Sequence, residues 1–248
     1  MRAGRRSSLL FVAALTLCWH VCSQAEEQQD ASNPTNWGGE GEFGFAVTKG
    51  NTDTQNFNVG INLQQVLKQW ENTYGFDSLN ESQEDQSSAE RYTVNLQSNR
   101  KVSESNFILG TVTYEYDRFS GFDYEATASL GIGRRLIDMD GMQLDVEVGP
   151  GHRTTKATTE DHARDESILR TAMKFRYDLS ETARFVQTIT STAGDDRSVT
   201  KSDTALSAQI VGNLAMKVTF TVKYNSAPAE VENVKKDSGS AITLVYKF

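Results

Sequence analysis

Two histidines, His152 and His162, stand close in sequence to Glu160, Asp161 and Asp165. By type, these side chains could do acid–base or metal chemistry. A hydrolase needs such a base oriented against a nucleophile or an activated water. No serine-containing elbow accompanies them, and zinc would need a third ligand at defined spacing. The simpler reading is a solvated, charged loop over His152–Asp165. A rim enzyme acting on lipid or peptide is the least favoured function, and no catalytic residue, metal site or cofactor is expected.

Acidic runs at Glu81–Asp85 and at Asp195 and Asp196 offer hard oxygen ligands of the kind that Ca²⁺ takes. Their spacing fits no Ca²⁺ loop template, so they read as solvated charge. Gly131-Ile132-Gly133 is not a phosphate loop, because it falls on a strand, where a bend or bulge accounts for it.

A more informative set alternates with apolar residues along the strands. Glu40, Glu42, Asp77, Glu115, Glu125, Asp145 and Glu147 supply acids. Arg91, Arg170, Lys174, Arg176, Arg184 and Lys223 supply bases. The acids come mostly from the first seven predicted strands and the bases mostly from the eighth to the eleventh. If the strands close into a ring, the two signs face each other across its lumen. Such a network either plugs a narrow barrel or sets a transverse field along a small pore, where rings of side chains govern selectivity.

The elements that would position these charges have a period of two. Trp37, Phe43, Phe45 and Val47 share one face of the first strand. Phe57, Val59, Ile61 and Leu63 follow on the second, and Trp70, Tyr74 and Phe76 on the third. The sixth is read as Phe122, Tyr124, Ala126, Ala128, Leu130 and Ile132 on one face. The eleventh carries Val218, Phe220, Val222 and Tyr224 opposite Thr219, Thr221 and Lys223. Twelve strands are predicted. Long polar loops are expected at Thr48–Thr54, Ser78–Ala89, Asp117–Gly121, His152–Asp165, Thr192–Asp203 and Ala227–Ser240. Short turns are expected near Lys68, Ser103, Asp138, Ser180 and Asn213. Short periplasmic turns and longer outer loops organise transmembrane barrels, and an even strand count puts both termini in the periplasm. Trp37, Trp70, Phe107, Tyr177, Phe185 and Phe248 fall at the short-turn ends. Phe57, Tyr92, Tyr116, Phe122 and Tyr224 fall at the long-loop ends, giving two aromatic girdles. The expected fold is therefore an all-β, transmembrane, antiparallel up-and-down barrel. A soluble β-sandwich or lipocalin-like barrel would also alternate, with its apolar residues pointing inward.

The ends of the chain agree with the membrane reading. Arg2, Arg5 and Arg6, the apolar core Leu9–Trp19 and the small-x-small site Ser23-Gln24-Ala25 read as a secretory signal over 1–25, cleaved after Ala25. Leu17 is too large to precede an acylated Cys18, so no lipid anchor is expected. Residues 26–36 read as a short periplasmic tail, and 37–248 as the barrel domain. Cys18 and Cys22 are the only two cysteines, so the mature chain holds neither disulfide nor thiol site. Of 25 Lys and Arg residues, the three signal arginines are lost, leaving 22 against 33 acids and a net charge of -11. Such a chain is not a nucleic-acid binder. At the other end, Ile242, Leu244, Tyr246 and Phe248 lie on one side of a terminal strand. A chain that ends in this way resembles outer-membrane barrels, which implies that Leu244, Tyr246 and Phe248 are read by the outer-membrane assembly machinery.

Several short motifs, in order, carry a family resemblance. They are Trp37-Gly38-Gly39-Glu40-Gly41-Glu42-Phe43-Gly44, Lys49-Gly50-Asn51-Thr52-Asp53-Thr54, Tyr116-Asp117-Arg118-Phe119, Gly131-Ile132-Gly133-Arg134-Arg135-Leu136, Gly149-Pro150-Gly151 and Tyr224-Asn225-Ser226-Ala227-Pro228. With these the chain resembles the salt-induced bacterial outer-membrane proteins, domain of unknown function 481. The resemblance covers nearly all of the mature chain. It implies a stress-responsive Gram-negative outer-membrane barrel, exported through the general secretory pathway. Outer-membrane lipid and lipopolysaccharide would surround it, with a monomer as the expected state. It brings no established reaction and no agreed site residues. A narrow channel for small solutes or ions is the favoured function, and a structural barrel that stabilises the outer membrane is the alternative.

Overall fold

The computed structural model describes residues 36–48, 54–83, 86–118, 121–228 and 235–248. The predicted signal, nearly all of the predicted tail and the first outer loop at 49–53 lie outside the described residues. Twelve strands run in order: β1 (Asn36–Thr48), β2 (Thr54–Val66), β3 (Trp70–Gln83), β4 (Gln86–Lys101), β5 (Asn106–Asp117) and β6 (Phe122–Met139). They continue with β7 (Met142–Ala157), β8 (Arg164–Asp178), β9 (Ala183–Gly194), β10 (Ser198–Val211), β11 (Leu214–Asn225) and β12 (Lys236–Lys247). Each pairs antiparallel with its sequence neighbours, and β12 pairs with β1 to close the barrel. Closure leaves no open edge, so every strand finds backbone partners on both sides.

Outward residues form an apolar belt. Phe43, Phe45, Ile61, Leu96, Val112, Leu130, Ile132, Val218, Phe220, Ile242 and Leu244 all stand exposed on the outer wall. Trp37 stacks with Tyr74 near the short turns at 6.1 Å between ring centroids. Tyr92 stacks with Tyr116, and Tyr114 with Tyr124, each at 6.0 Å, near the outer ends. An apolar belt bracketed by aromatic rings, around a charged interior, is the arrangement of a transmembrane barrel and the reverse of a soluble one.

The short turns match the sequence reading, with the β6–β7 turn at Asp140-Gly141, two residues beyond the expected Asp138. Gly141 and Gly212 hold φ of 72° and 52° at two-residue hairpins, a conformation that suits glycine. The outer connections differ. Of the six stretches expected as long loops, four carry several residues of strand: β3 reaches Gln83, β7 reaches Ala157, β9 reaches Gly194 and β10 starts at Ser198 in the same stretch, and β12 starts at Lys236. The loop expected at 152–165 shrinks to 158–163, and the one at 192–203 shrinks to 195–197. These extensions are polar on both faces, which erases hydrophobic alternation, yet their backbones stay paired in the ladder. The barrel therefore projects beyond its apolar belt.

Two aromatic residues expected in the girdles point inward instead. Phe107 is 8% exposed, and its ring lies over Gly133, where a Cβ would collide with it. Phe122 also changes face, because a register shift between Phe122 and Tyr124 breaks the alternation assumed for β6. A single extra residue in a strand reverses every facing beyond it.

Candidate functional site: the charged lumen

The inward face of each strand supplies polar and charged side chains, and several meet across the barrel. Lys223 on β11 donates to Glu115 on β5 at 2.5 Å. These strands lie six places apart in a ring of twelve, so this pair bridges opposite walls. Both residues stand two positions from the outer ends of their strands. Gln97 on β4 donates to Glu147 on β7 at 2.8 Å, and Arg170 on β8 donates to the same carboxylate at 2.8 Å. Lys217 on β11 reaches past β12 to Glu42 on β1 at 2.5 Å, with Glu40 at 3.8 Å.

Toward the outer end the lumen is dry. Arg153 on β7 is 0% exposed and donates to Glu166 on β8 at 2.7 Å and to Thr192 on β9 at 3.1 Å. It also donates to the backbone carbonyl of Arg197. Arg197, 7% exposed, pairs with Glu125 on β6, donates to Thr155 at 3.1 Å and lies 4.5 Å over the Phe122 ring. Arg91 pairs with Asp117 at 2.6 Å.

Midway down the barrel the lumen is wetter. Asp77 faces it from β3 and is exposed, as is Asn95 on β4. Nearer the outer end, in register with Lys223, Lys201 on β10 pairs with Asp203 at 3.3 Å and keeps 49% of its side chain exposed, and Asp203 accepts a hydrogen bond from Thr221 at 2.7 Å. Toward the short turns, Arg135 pairs with Asp145 at 2.9 Å. Arg176 donates to Gln143 at 2.5 Å, and Arg184 pairs with Asp178. Lys174 faces the lumen with no ion-pair partner among the described residues.

Of the charged set named from sequence, Glu115 with Lys223 and Glu147 with Arg170 meet directly. Glu40, Glu42, Glu125, Asp145, Arg91, Arg176 and Arg184 find partners outside that set, and Asp77 and Lys174 have no ion-pair or hydrogen-bond partner among the described residues. Sequence reasoning missed Arg135, Arg153, Glu166, Arg197, Lys201, Asp203 and Lys217. Arg153, Arg197 and Lys201 fell inside stretches read as loops. Lys217 stood just before the assumed start of its strand.

His152 lies on β7, not in a loop, and points outward, 3.2 Å from Asp165 on β8. His162 is exposed in the 158–163 connection. Among the described residues no group of three His, Cys, Asp or Glu side chains is arranged to hold a metal ion. At the terminal strand, Ile242, Leu244 and Tyr246 are exposed on the belt. Phe248 exchanges backbone hydrogen bonds with Gly39 on β1, both at 2.9 Å, so the last residue pins the closing seam.

Fold and lumen together define a transmembrane antiparallel β-barrel with a charged interior. The chain belongs to the family described as Protein of unknown function, DUF481, whose model matches residues 41–248. Uncharacterized protein YdiY of Escherichia coli (strain K12) is 24% identical over 206 residues, covering 83% of this chain and 81% of that one. Two solved barrels share the fold. The NanC porin is similar with a TM-score of 0.52 at 6% identity, over 85% of this chain and 98% of that one. The COG4313 outer membrane channel from Pseudomonas putida F1 is similar with a TM-score of 0.51 at 9% identity, over 86% and 95%.

Proposed function

We propose that this barrel resides in the outer membrane of a Gram-negative bacterium and is a narrow channel for small ions or hydrophilic solutes, constricted by pairs that cross its lumen. The observation that carries the reading is the exposed polar wall at mid-barrel, at Asp77 and Asn95. A barrel serving only as a wall has no need of a carboxylate such as Asp77, left without an ion-pair partner among the described residues, in its interior, where desolvation is costly. Two barrels similar in fold, a porin and an outer-membrane channel, support the same reading. The role is non-enzymatic. Export by the N-terminal signal, assembly through Leu244, Tyr246 and Phe248, and a stress-responsive role belong to it as well.

The Glu115–Lys223 bridge favours a second reading, a closed structural barrel that stiffens the membrane, because it joins opposite walls directly. Planar-bilayer recording separates the two. Under the channel reading the folded chain gives small single-channel steps, and Lys223→Met raises their amplitude severalfold by removing the crossing ammonium. Silence from both proteins would leave the structural role.

A further inference from the structure

On the outer wall, at the short-turn end of β5, β6 and β7, lies a groove of about 500 Å³. Val102, Ile108, Ile132, Val146 and Val148 line it, with Arg134 at its edge. Ile132 and Val148 are exposed on the belt, and Leu130, one step further along the same face of β6, is 73% exposed. The apolar run therefore continues from the groove toward the middle of the membrane. Arg134 faces outward, is exposed, and has no acidic partner among the described residues. A second outward cation, Arg100 on β4, flanks the same edge. It pairs in register with Ile108 and sits 5.8 Å from the Trp70 ring. An unpaired guanidinium at the membrane edge, beside apolar surface, is placed to meet the anionic headgroup of a lipid.

We infer that this groove binds one phospholipid of the periplasmic leaflet, with its phosphate on Arg134 and an acyl chain along Ile132, Val148 and Leu130. The chemistry is complementary at both ends. A guanidinium presents a fork of N–H donors that matches phosphate oxygens, and the branched aliphatic lining matches a hydrocarbon chain. The short-turn end selects the leaflet, because phospholipid borders the periplasm whereas lipopolysaccharide fills the outer face. The inference thus rests on the membrane orientation proposed above, with short turns in the periplasm, and not on conduction.

The test is native mass spectrometry of the folded full barrel in mild detergent. It is titrated with palmitoyl-oleoyl phosphatidylglycerol and, separately, with the diacylglycerol bearing the same chains. One phospholipid adduct is expected at low occupancy of all others, and the diacylglycerol should bind about tenfold more weakly. Arg134→Gln should weaken phospholipid binding by a similar factor. Lys156→Gln, on the outer wall at the opposite end of the barrel, should leave it unchanged. Equal binding of phospholipid and diacylglycerol by the unmodified protein would overturn the inference without relying on any variant. So would an Arg134→Gln protein that binds like the parent. Lipopolysaccharide retained at this groove in material purified from cells would overturn it through the orientation. Bilayer recordings of the same protein would still stand, so the channel reading is judged separately.

Discussion

The outer end of the lumen and its middle are built from the same residue types but solve different problems. Near the outer end, Arg153 and Arg197 are nearly or wholly enclosed, and each finds a carboxylate and at least one further acceptor. In the middle, Asp77 and Asn95 remain exposed inside the barrel. Enclosed charges are tolerable only when fully paired, whereas exposed ones keep their water. The first region works as a lock between β6, β7, β8 and the β9–β10 turn. The second offers a wet wall that ions or small solutes can contact.

Removing one member of the lock should give the largest effect. Glu166→Ala strands the Arg153 guanidinium in a site with no exposure. Loss of the partner of a buried charge costs about 3–5 kcal/mol. The heat-induced change in gel mobility in detergent should therefore move to a much lower temperature. A Glu166→Ala barrel as heat-resistant as the parent would mean that the outer end is not a lock.

The facing of a single strand tests whether the wet wall is where it is described. Val222 stands outward on β11, level with Ser202, and Thr221 stands inward, bonded to Asp203. Val222→Arg puts a cation against lipid three residues from the outer end of β11, at a cost of about 1–2 kcal/mol, between the midplane and interface values, and should impair insertion. Thr221→Arg should insert, add positive charge beside Lys201, and turn any current toward anions. The reverse outcome, with Thr221→Arg lost from the membrane and Val222→Arg assembled, would exchange inside for outside.

How much of this was legible in the sequence follows from which signal each region carries. The twelve strands, the belt and the short turns were readable because apolar and polar residues alternate there and short polar breaks separate the runs. The outer extensions were not, since Thr192, Ser198, Thr200 and their neighbours are polar on both faces. The period that marks a strand disappears although the ladder continues. That error hid Arg153 and Lys201 from the charged set, whereas Arg197 sits in the 195–197 connection itself and reaches the lumen from there. The Phe122 facing was lost to a register shift that no residue type announces. Contacts across the lumen, such as Lys223 with Glu115, depend on ring closure and barrel width, which local alternation does not encode.

The smallest effect on stability, and the sharpest on function, should come from the middle of the lumen. Asp77 has an exposed carboxylate on β3, with Glu42 and Gly60 as its neighbours on the inward face. Asp77→Asn keeps the shape and removes the charge. Since this residue is exposed to the lumen and no hydrogen bond or ion pair holds its carboxylate among the described residues, the loss should change stability by no more than about 0.5 kcal/mol. It should leave the heat-induced mobility change where it is. Wall charge sets ion preference in a narrow polar conduit, so the reversal potential in a salt gradient should shift toward anion selectivity. Glu166→Ala and Asp77→Asn thus form a pair in which each should move the measurement that the other leaves alone. A barrel that Asp77→Asn destabilises as strongly as Glu166→Ala does would show the middle to be part of the lock. An unchanged reversal potential in a conducting barrel would show that ions do not pass this wall.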